Sequence, residues 1–215
     1  MGGLDHFLSQ SLDTVIKKNL GKNATRKIEK RLYEKHGLSL TQSIEQFQKL
    51  DSVLREFFGA GADGIEEKCF KDMGNIKNNA ERNKNRDKSV KKESVKWMTI
   101  EDPILTESIL EVFGEPDKKK IFESVIDESK TVYDIINECN IPQTSGYRKI
   151  NSLIKNGLLS INGYVETQDG KKVNKYKSVF QNMRINLMKN KVTINIQLNK
   201  QNIIDSSILL AMTEL

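Results

Sequence analysis

The segment at 131–156, TVYDIINECNIPQTSGYRKINSLIKN, leaves the chain the fewest structural choices. Thr131 is placed to cap a helix, because a hydroxyl there can accept from an N–H of the first turn. Val132, Ile135 and Ile136 give that helix an apolar face. Asn140-Ile141-Pro142 then breaks the periodicity. Pro142 cannot continue the first helix and steers Ile141 away from helical angles. Asn140 falls where the chain must reverse, and Asn tolerates the left-handed conformation better than most residues. Gln143 or Thr144 can open a second helix, which Gly157 can close. The expectation is two short helices joined by a tight turn.

The second helix divides by side. Ile150, Leu153 and Ile154 share an inward face, while Ser145, Arg148, Lys149, Ser152 and Lys155 remain mostly outside. Tyr147 faces either the core or a nucleic-acid backbone. Immediately after comes LLSINGYVETQDGKKVNKYKSVF, in which Asp169-Gly170 separates two strand-like runs and signals a hairpin. Helix, helix and basic hairpin is the layout of a winged helix, whose second helix enters the major groove.

Residues 108–180, with SILEVFGEPDKKKIFESVIDESKTVYDIINECNIPQTSGYRKINSLIKNGLL ahead of the hairpin, resemble the archaeal winged helix-turn-helix regulators of the ArsR-like class. IPQTSGYRKINSLIKNGLL is the most specific run, and Asn140 stands where a Gly is common in that class. The resemblance covers about a third of the chain. It implies sequence-specific binding of double-stranded DNA, usually as a homodimer, and a role in transcription.

The charge is distributed to match. The formal net charge is +6, and it gathers in two places. Residues 74–98 hold 8 basic and 3 acidic side chains, and residues 143–177 hold 7 and 2. Such clusters are the electrostatic footprint expected against a phosphate backbone. Arg148 is expected to read a guanine edge or a phosphate, with Thr144, Ser145, Lys149 and Ser152 in support. Lys155 extends this basic helix face. Lys171, Lys172, Lys175 and Lys177 on the hairpin are expected to hold flanking phosphates.

The overall fold expected is mainly α with a small β component. Residues 1–73 read as a helical bundle for regulation or dimerisation, or for docking a protein partner. Leu4, Phe7, Leu8, Leu12, Val15, Ile16 and Leu20 recur at helical spacing up to Gly21. A second helix spans 24–36, a third runs from Ser39 or Thr41 to Phe58, and Asp63 caps a fourth. Asp51 and Arg55 are spaced to pair across one turn. The module around IEKRLYEKHGLSL and LDSVLREFFGAGAD resembles one from Nitrosopumilus-type archaea that accompanies regulatory domains. FFGAGAD lacks the Lys-Ser/Thr of a phosphate loop and reads as a turn.

Residues 74–98 are too polar to order themselves and read as a basic flexible linker, with non-specific phosphate contact as its functional alternative. Trp97 is expected to pack on the following domain, which covers 99–182. Lys118, Lys119 and Lys120 oppose a helix dipole, so they meet either solvent or a phosphate. Beyond the wing, Met183, Ile185 and Leu187 alternate, as do Val192, Ile194, Ile196 and Leu198, which predicts a second hairpin. Ile204, Ile208, Ala211, Met212 and Leu215 make a one-sided helical seam. It packs on its own domain or on a second copy.

Other functions find little support. Paired carboxylates, a Ser-His-Asp set and a phosphate loop are all missing, so no enzyme is expected. Cys69 and Cys139 stand far apart without CxxC spacing, so neither metal nor cofactor is expected. No run approaches the roughly 18 apolar residues of a membrane span. The opening MGGLDHFLSQ is amphipathic rather than signal-like, which points to a cytoplasmic chain with no membrane partner. The alternative to DNA is a winged-helix module that binds protein or RNA in a larger assembly.

Overall fold

The computed structural model describes residues 3–78, 96–189, 191–198 and 200–214. It opens with four helices: α1 Gly3–His36, α2 Leu40–Ile44, α3 Phe47–Phe58 and α4 Gly61–Met73. Gly21 interrupts α1 with φ 74° and ψ 165°, so its two halves are the two helices expected on either side of that glycine. Phe7, Leu8, Leu12, Ile28, Leu32, Leu50 and Leu54 bury the shared apolar faces. Ser39 caps α2 in a reciprocal arrangement with Gln42.

The single third helix expected to end at Phe58 is in fact two. Gln46 leaves helical angles at φ −126° and ψ 58°. The break is held from far along the chain: the Phe47 N–H donates to the Ser207 hydroxyl, which itself donates to the Glu45 carbonyl. Asp63 also differs from expectation. It lies inside the first turn of α4, not at its cap, and accepts from Arg55 at 2.5 Å. Arg55 bonds Asp51 as well, at 2.7 Å.

The linker reading is corrected at both of its ends. Residues 74–78 form strand β1 Gly74–Asn78, and 96–98 belong to β2 Lys96–Ile100. The middle of that segment, 79–95, lies outside the described residues. The two strands pair antiparallel and join β6 Met183–Met188 and β7 Lys191–Leu198 in a sheet of order β1-β2-β7-β6. Met98 stands opposite both Ile76 and Ile196, and Ile196 opposite Met183, so one face carries a continuous apolar row. Trp97 points to the other face, where the Arg184 guanidinium lies 4.3 Å from its ring.

The remaining helices of the first half of this region are α5 Pro103–Gly114 and α6 Pro116–Ser124, each with proline in the first turn, where its missing N–H costs nothing. Asp102 caps α5 by accepting from the Leu105 N–H at 3.1 Å. A second sheet, of order β3-β5-β4, joins β3 Lys130–Thr131, β5 Lys172–Ser178 and β4 Leu159–Glu166. Between β3 and β4 lie α7 Val132–Cys139 and α8 Gln143–Lys155.

The chain ends in α9 Lys200–Asp205 and α10 Ser207–Glu214. Of the two partners expected for the terminal seam, Ile208 finds its own chain and is fully buried, as is Leu209. Ile204 remains 63% exposed, and Leu215 lies outside the described residues. Asp5 anchors α10 from α1, accepting from the Ser207 N–H at 2.9 Å and from the Ser206 hydroxyl. The buried side chains form one contiguous cluster that includes residues of α1, both sheets and α10.

Candidate nucleic-acid interface

Local chemistry builds the two helices and their turn. The Thr131 hydroxyl accepts from the Asp134 N–H at 3.2 Å, and Asp134 accepts in return from the Thr131 N–H and hydroxyl. Asn140 takes the left-handed conformation, φ 52° and ψ 49°, and ends α7. Ile141 N–H closes the turn onto the Ile136 carbonyl at 3.2 Å. Ile135, Ile136 and Cys139 bury against Ile150 and Leu153 of α8 in the common core. Gly146 permits this approach: a Cβ there would stand 2.7 Å from Ile136 Cγ1.

Residues expected to touch a ligand separate into two rows on α8. Thr144, Tyr147, Arg148 and Lys155 are exposed, Tyr147 by 44%. Asn151, which sequence reasoning did not single out, is exposed as well. Thr144, Arg148, Asn151 and Lys155 recur at i, i+4, i+7 and i+11, which places them on one outward stripe. That spacing is the signal by which Asn151 was findable.

Ser145, Lys149 and Ser152 form the second row and are half-buried. Lys149 is bound to the scaffold. Its ammonium lies 2.5 Å from Glu115 and 2.6 Å from Asp117 at the α5–α6 junction. The bond to Asp117, reinforced by Glu115, raises the Lys149 pKa and keeps it charged. Lys149, expected as a supporting ligand contact, thus has two carboxylates for its charge in this structure. Lys118, expected at a helix start facing solvent or a phosphate, differs from that expectation. It is buried, and it pairs with Glu111 at 2.5 Å and Glu115 at 3.1 Å.

Arg148 and Lys155 show the opposite condition. Among the described residues neither has an ion-pair partner, and nor do Lys171, Lys172, Lys175 and Lys177 of the hairpin. Asp169-Gly170 makes the expected turn, with Gly170 at φ 73° and its N–H on the Thr167 carbonyl at 2.8 Å. Strand alternation then divides the lysines. Lys175 and Lys177 fall on one face of β5, and Lys172 falls on the other with Tyr164 and Glu166. The Lys172 ammonium sits 4.6 Å from the centre of the Tyr164 ring. Lys171 precedes the strand and is exposed. The hairpin also carries exposed apolar side chains, Ile161, Tyr164, Val165 and Val173.

Cys69 and Cys139 are buried free thiols, and burial raises both, Cys69 to about 11. Among the described residues no cluster of three or more His, Cys, Asp or Glu is arranged to hold a metal, and no helix is long and apolar enough to cross a membrane. No protein-family model, curated protein or solved structure matches this chain.

Proposed function

We propose that the region 99–182 is a winged helix-turn-helix domain that binds double-stranded DNA, and that the chain is a transcriptional regulator acting as a homodimer in the cytoplasm. The observation that carries this reading is the outward stripe of α8. Thr144, Arg148, Asn151 and Lys155 stand in one exposed row. The inner Lys149 is neutralised by the scaffold, whereas the outer basic groups are not. Arg pairs with guanine through two acceptors, and Asn pairs with adenine through a donor and an acceptor. Lys171, Lys172, Lys175 and Lys177 supply phosphate contacts beside the groove. The helices of residues 1–73 serve regulation or dimerisation in this reading.

The test pairs two neighbours. Arg148→Ala is expected to lower specific affinity by about 1–3 kcal/mol and leave stability nearly unchanged. Lys149→Ala is expected to do the reverse, lowering stability by freeing Glu115 and Asp117 while changing affinity less. Fluorescence anisotropy on a selected duplex, with urea unfolding of the same variants, measures both. If Arg148→Ala discriminated cognate from random DNA as well as the wild type does, the role given to Arg148 would be wrong.

A second reading, a module that binds protein, is favoured by exposed apolar side chains on both faces of the hairpin, Ile161 with Tyr164 on one and Val165 with Val173 on the other. Salt separates the two. Phosphate contacts give a steep fall in affinity with added salt, and an apolar contact does not.

A further inference from the structure

The end of α8 is docked on the first turn of α1, about 150 residues earlier in the chain. Gly157, which ends α8 at φ 68°, lies so close to α1 that a Cβ there would stand 2.4 Å from Phe7 N and 2.7 Å from Phe7 Cα. Phe7 continues the contact through its ring, edge-on to Phe180 at 5.2 Å. Beside it His6 reaches two elements at once. Its Nδ1 is 2.7 Å from Glu45 Oε1, in the turn between α2 and α3, and its Nε2 is 2.9 Å from the carbonyl oxygen of Lys155.

Both of those partners can only accept. A neutral imidazole has one N–H, so it satisfies one partner and turns a lone pair on the other. An imidazolium donates to both. The geometry at His6 is therefore that of the charged ring. Lys155, whose carbonyl is held, is also the last member of the outward stripe on α8.

We propose that His6 is a positioning residue whose imidazolium ties the C-terminal end of α8 to the N-terminal helices, so that protonation of His6 strengthens duplex binding through α8. The second half of this statement rests on the duplex-binding reading above. Holding one end of α8 in place removes part of the ordering cost of binding.

The surroundings favour the charge. Glu45 faces the ring directly, and the cleft it borders is also lined by Asp5 from α1, Lys49 from α3 and Asp205 ahead of α10. The Lys155 ammonium is the cation on the α8 side and is exposed. Burial alone would lower the His6 pKa, but the bonds to Glu45 and to the Lys155 carbonyl outweigh it and the pKa is raised. A folded pKa above the unfolded value means that the tether contributes fully below about pH 6.5 and is lost as pH rises through the raised value.

The chain has two histidines, so the titration is assignable with one substitution. The experiment is a pH titration of the isotopically labelled full chain by NMR, alongside anisotropy on a short random duplex at each pH. One imidazole signal, missing in His6→Gln, is expected to titrate above the ordinary histidine value. The amides of Asn156, Gly157 and Leu158 are expected to shift with the same midpoint. In Glu45→Gln that midpoint is expected to fall. Duplex affinity of the wild type is expected to drop through this midpoint relative to His6→Gln, by up to about tenfold for each unit by which duplex binding itself raises the His6 pKa further.

Amides that ignore the His6 midpoint, or a midpoint at or below the ordinary value, would overturn the tether. Linked amides with identical pH profiles of binding in wild type and His6→Gln would overturn the coupling to DNA. Linked amides with no duplex binding at any pH, even at low salt, would leave the tether standing and sink the duplex reading.

Discussion

The β4–β5 and β6–β7 hairpins have the same local pattern and different surroundings. Both are antiparallel, and both join strands of alternating character through a short turn. In β6–β7 the alternation of β7 is used to build a core, whereas Ile185 and Leu187 of β6 stay exposed. Ile194, Ile196 and Leu198 are buried because β2 adds a further strand carrying Met98 and Ile100 on the same face. In β4–β5 the base is buried at Leu159 and Ser178, β3 lies along Lys175 and Tyr176 so that 175–177 are half-buried, and the outer parts of the two strands stand in solvent. Alternation therefore reports a two-sided strand and not what lies against either side. The outer part of that hairpin is free to carry Lys171 and Lys172, since no desolvation opposes a charge that stays in solvent.

The largest effect that sharpens this contrast is expected from truncating the covered sheet. Ile196→Ala removes a fully buried side chain between Met98 and Met183 and is expected to cost about 2–5 kcal/mol in urea unfolding. Val165→Ala on the projecting hairpin, where the side chain is 39% exposed, is expected to cost about 0.5 kcal/mol or less. Equal losses at the two positions would erase the distinction between the hairpins.

A smaller effect is expected from pH, acting on the covered side. Glu66 lies in α4, which runs directly into β1, and it is buried. Burial, with Asp51 close by, pushes its carboxyl up to about 8. The folded state therefore holds this proton more tightly than the unfolded chain does. The stabilisation is complete below the unfolded value, about 4.3, and is lost as pH rises through about 8. Glu66→Gln keeps a neutral side chain and is expected to flatten that decline, as measured by chemical denaturation at mildly acidic and mildly alkaline pH. A decline of unchanged size in the variant would remove Glu66 as its cause.

The smallest effect on stability is expected at the lysines. Lys175→Ala with Lys177→Ala is expected to leave unfolding almost unchanged, because neither side chain has an ion-pair partner among the described residues. The same double variant is expected to reduce the slope of log affinity against log salt by about 1–2, as the loss of one or two phosphate contacts requires. An unchanged slope would remove these lysines from the interface.

Short-range chemistry explains what was legible. The Thr131 cap, the left-handed Asn140 and the Asp169-Gly170 turn each depend on neighbours within a few residues. The outward stripe of α8 was mostly legible for the same reason, since helical period alone places Thr144, Arg148 and Lys155 together. What escaped depended on distance. The break between α2 and α3 is held by Ser207, and β1 and β2 order the ends of a segment whose average composition is polar.

Local sequence was enough for the helices of the bundle other than the break at Gln46, for the turn between α7 and α8, for both hairpins and for the sign of the charge on the candidate interface. These are set by local hydrogen bonds and by side-chain period. Which face of each element is covered, and which charges are paired internally, follows from long-range packing. Lys149 and Arg148 are adjacent in sequence, yet one is neutralised by Glu115 and Asp117 and the other is exposed without an ion-pair partner among the described residues. Likewise nothing near His6 in sequence foretells its bond to the Lys155 carbonyl. Such pairings follow from how the chain folds back on itself, which local propensity does not encode.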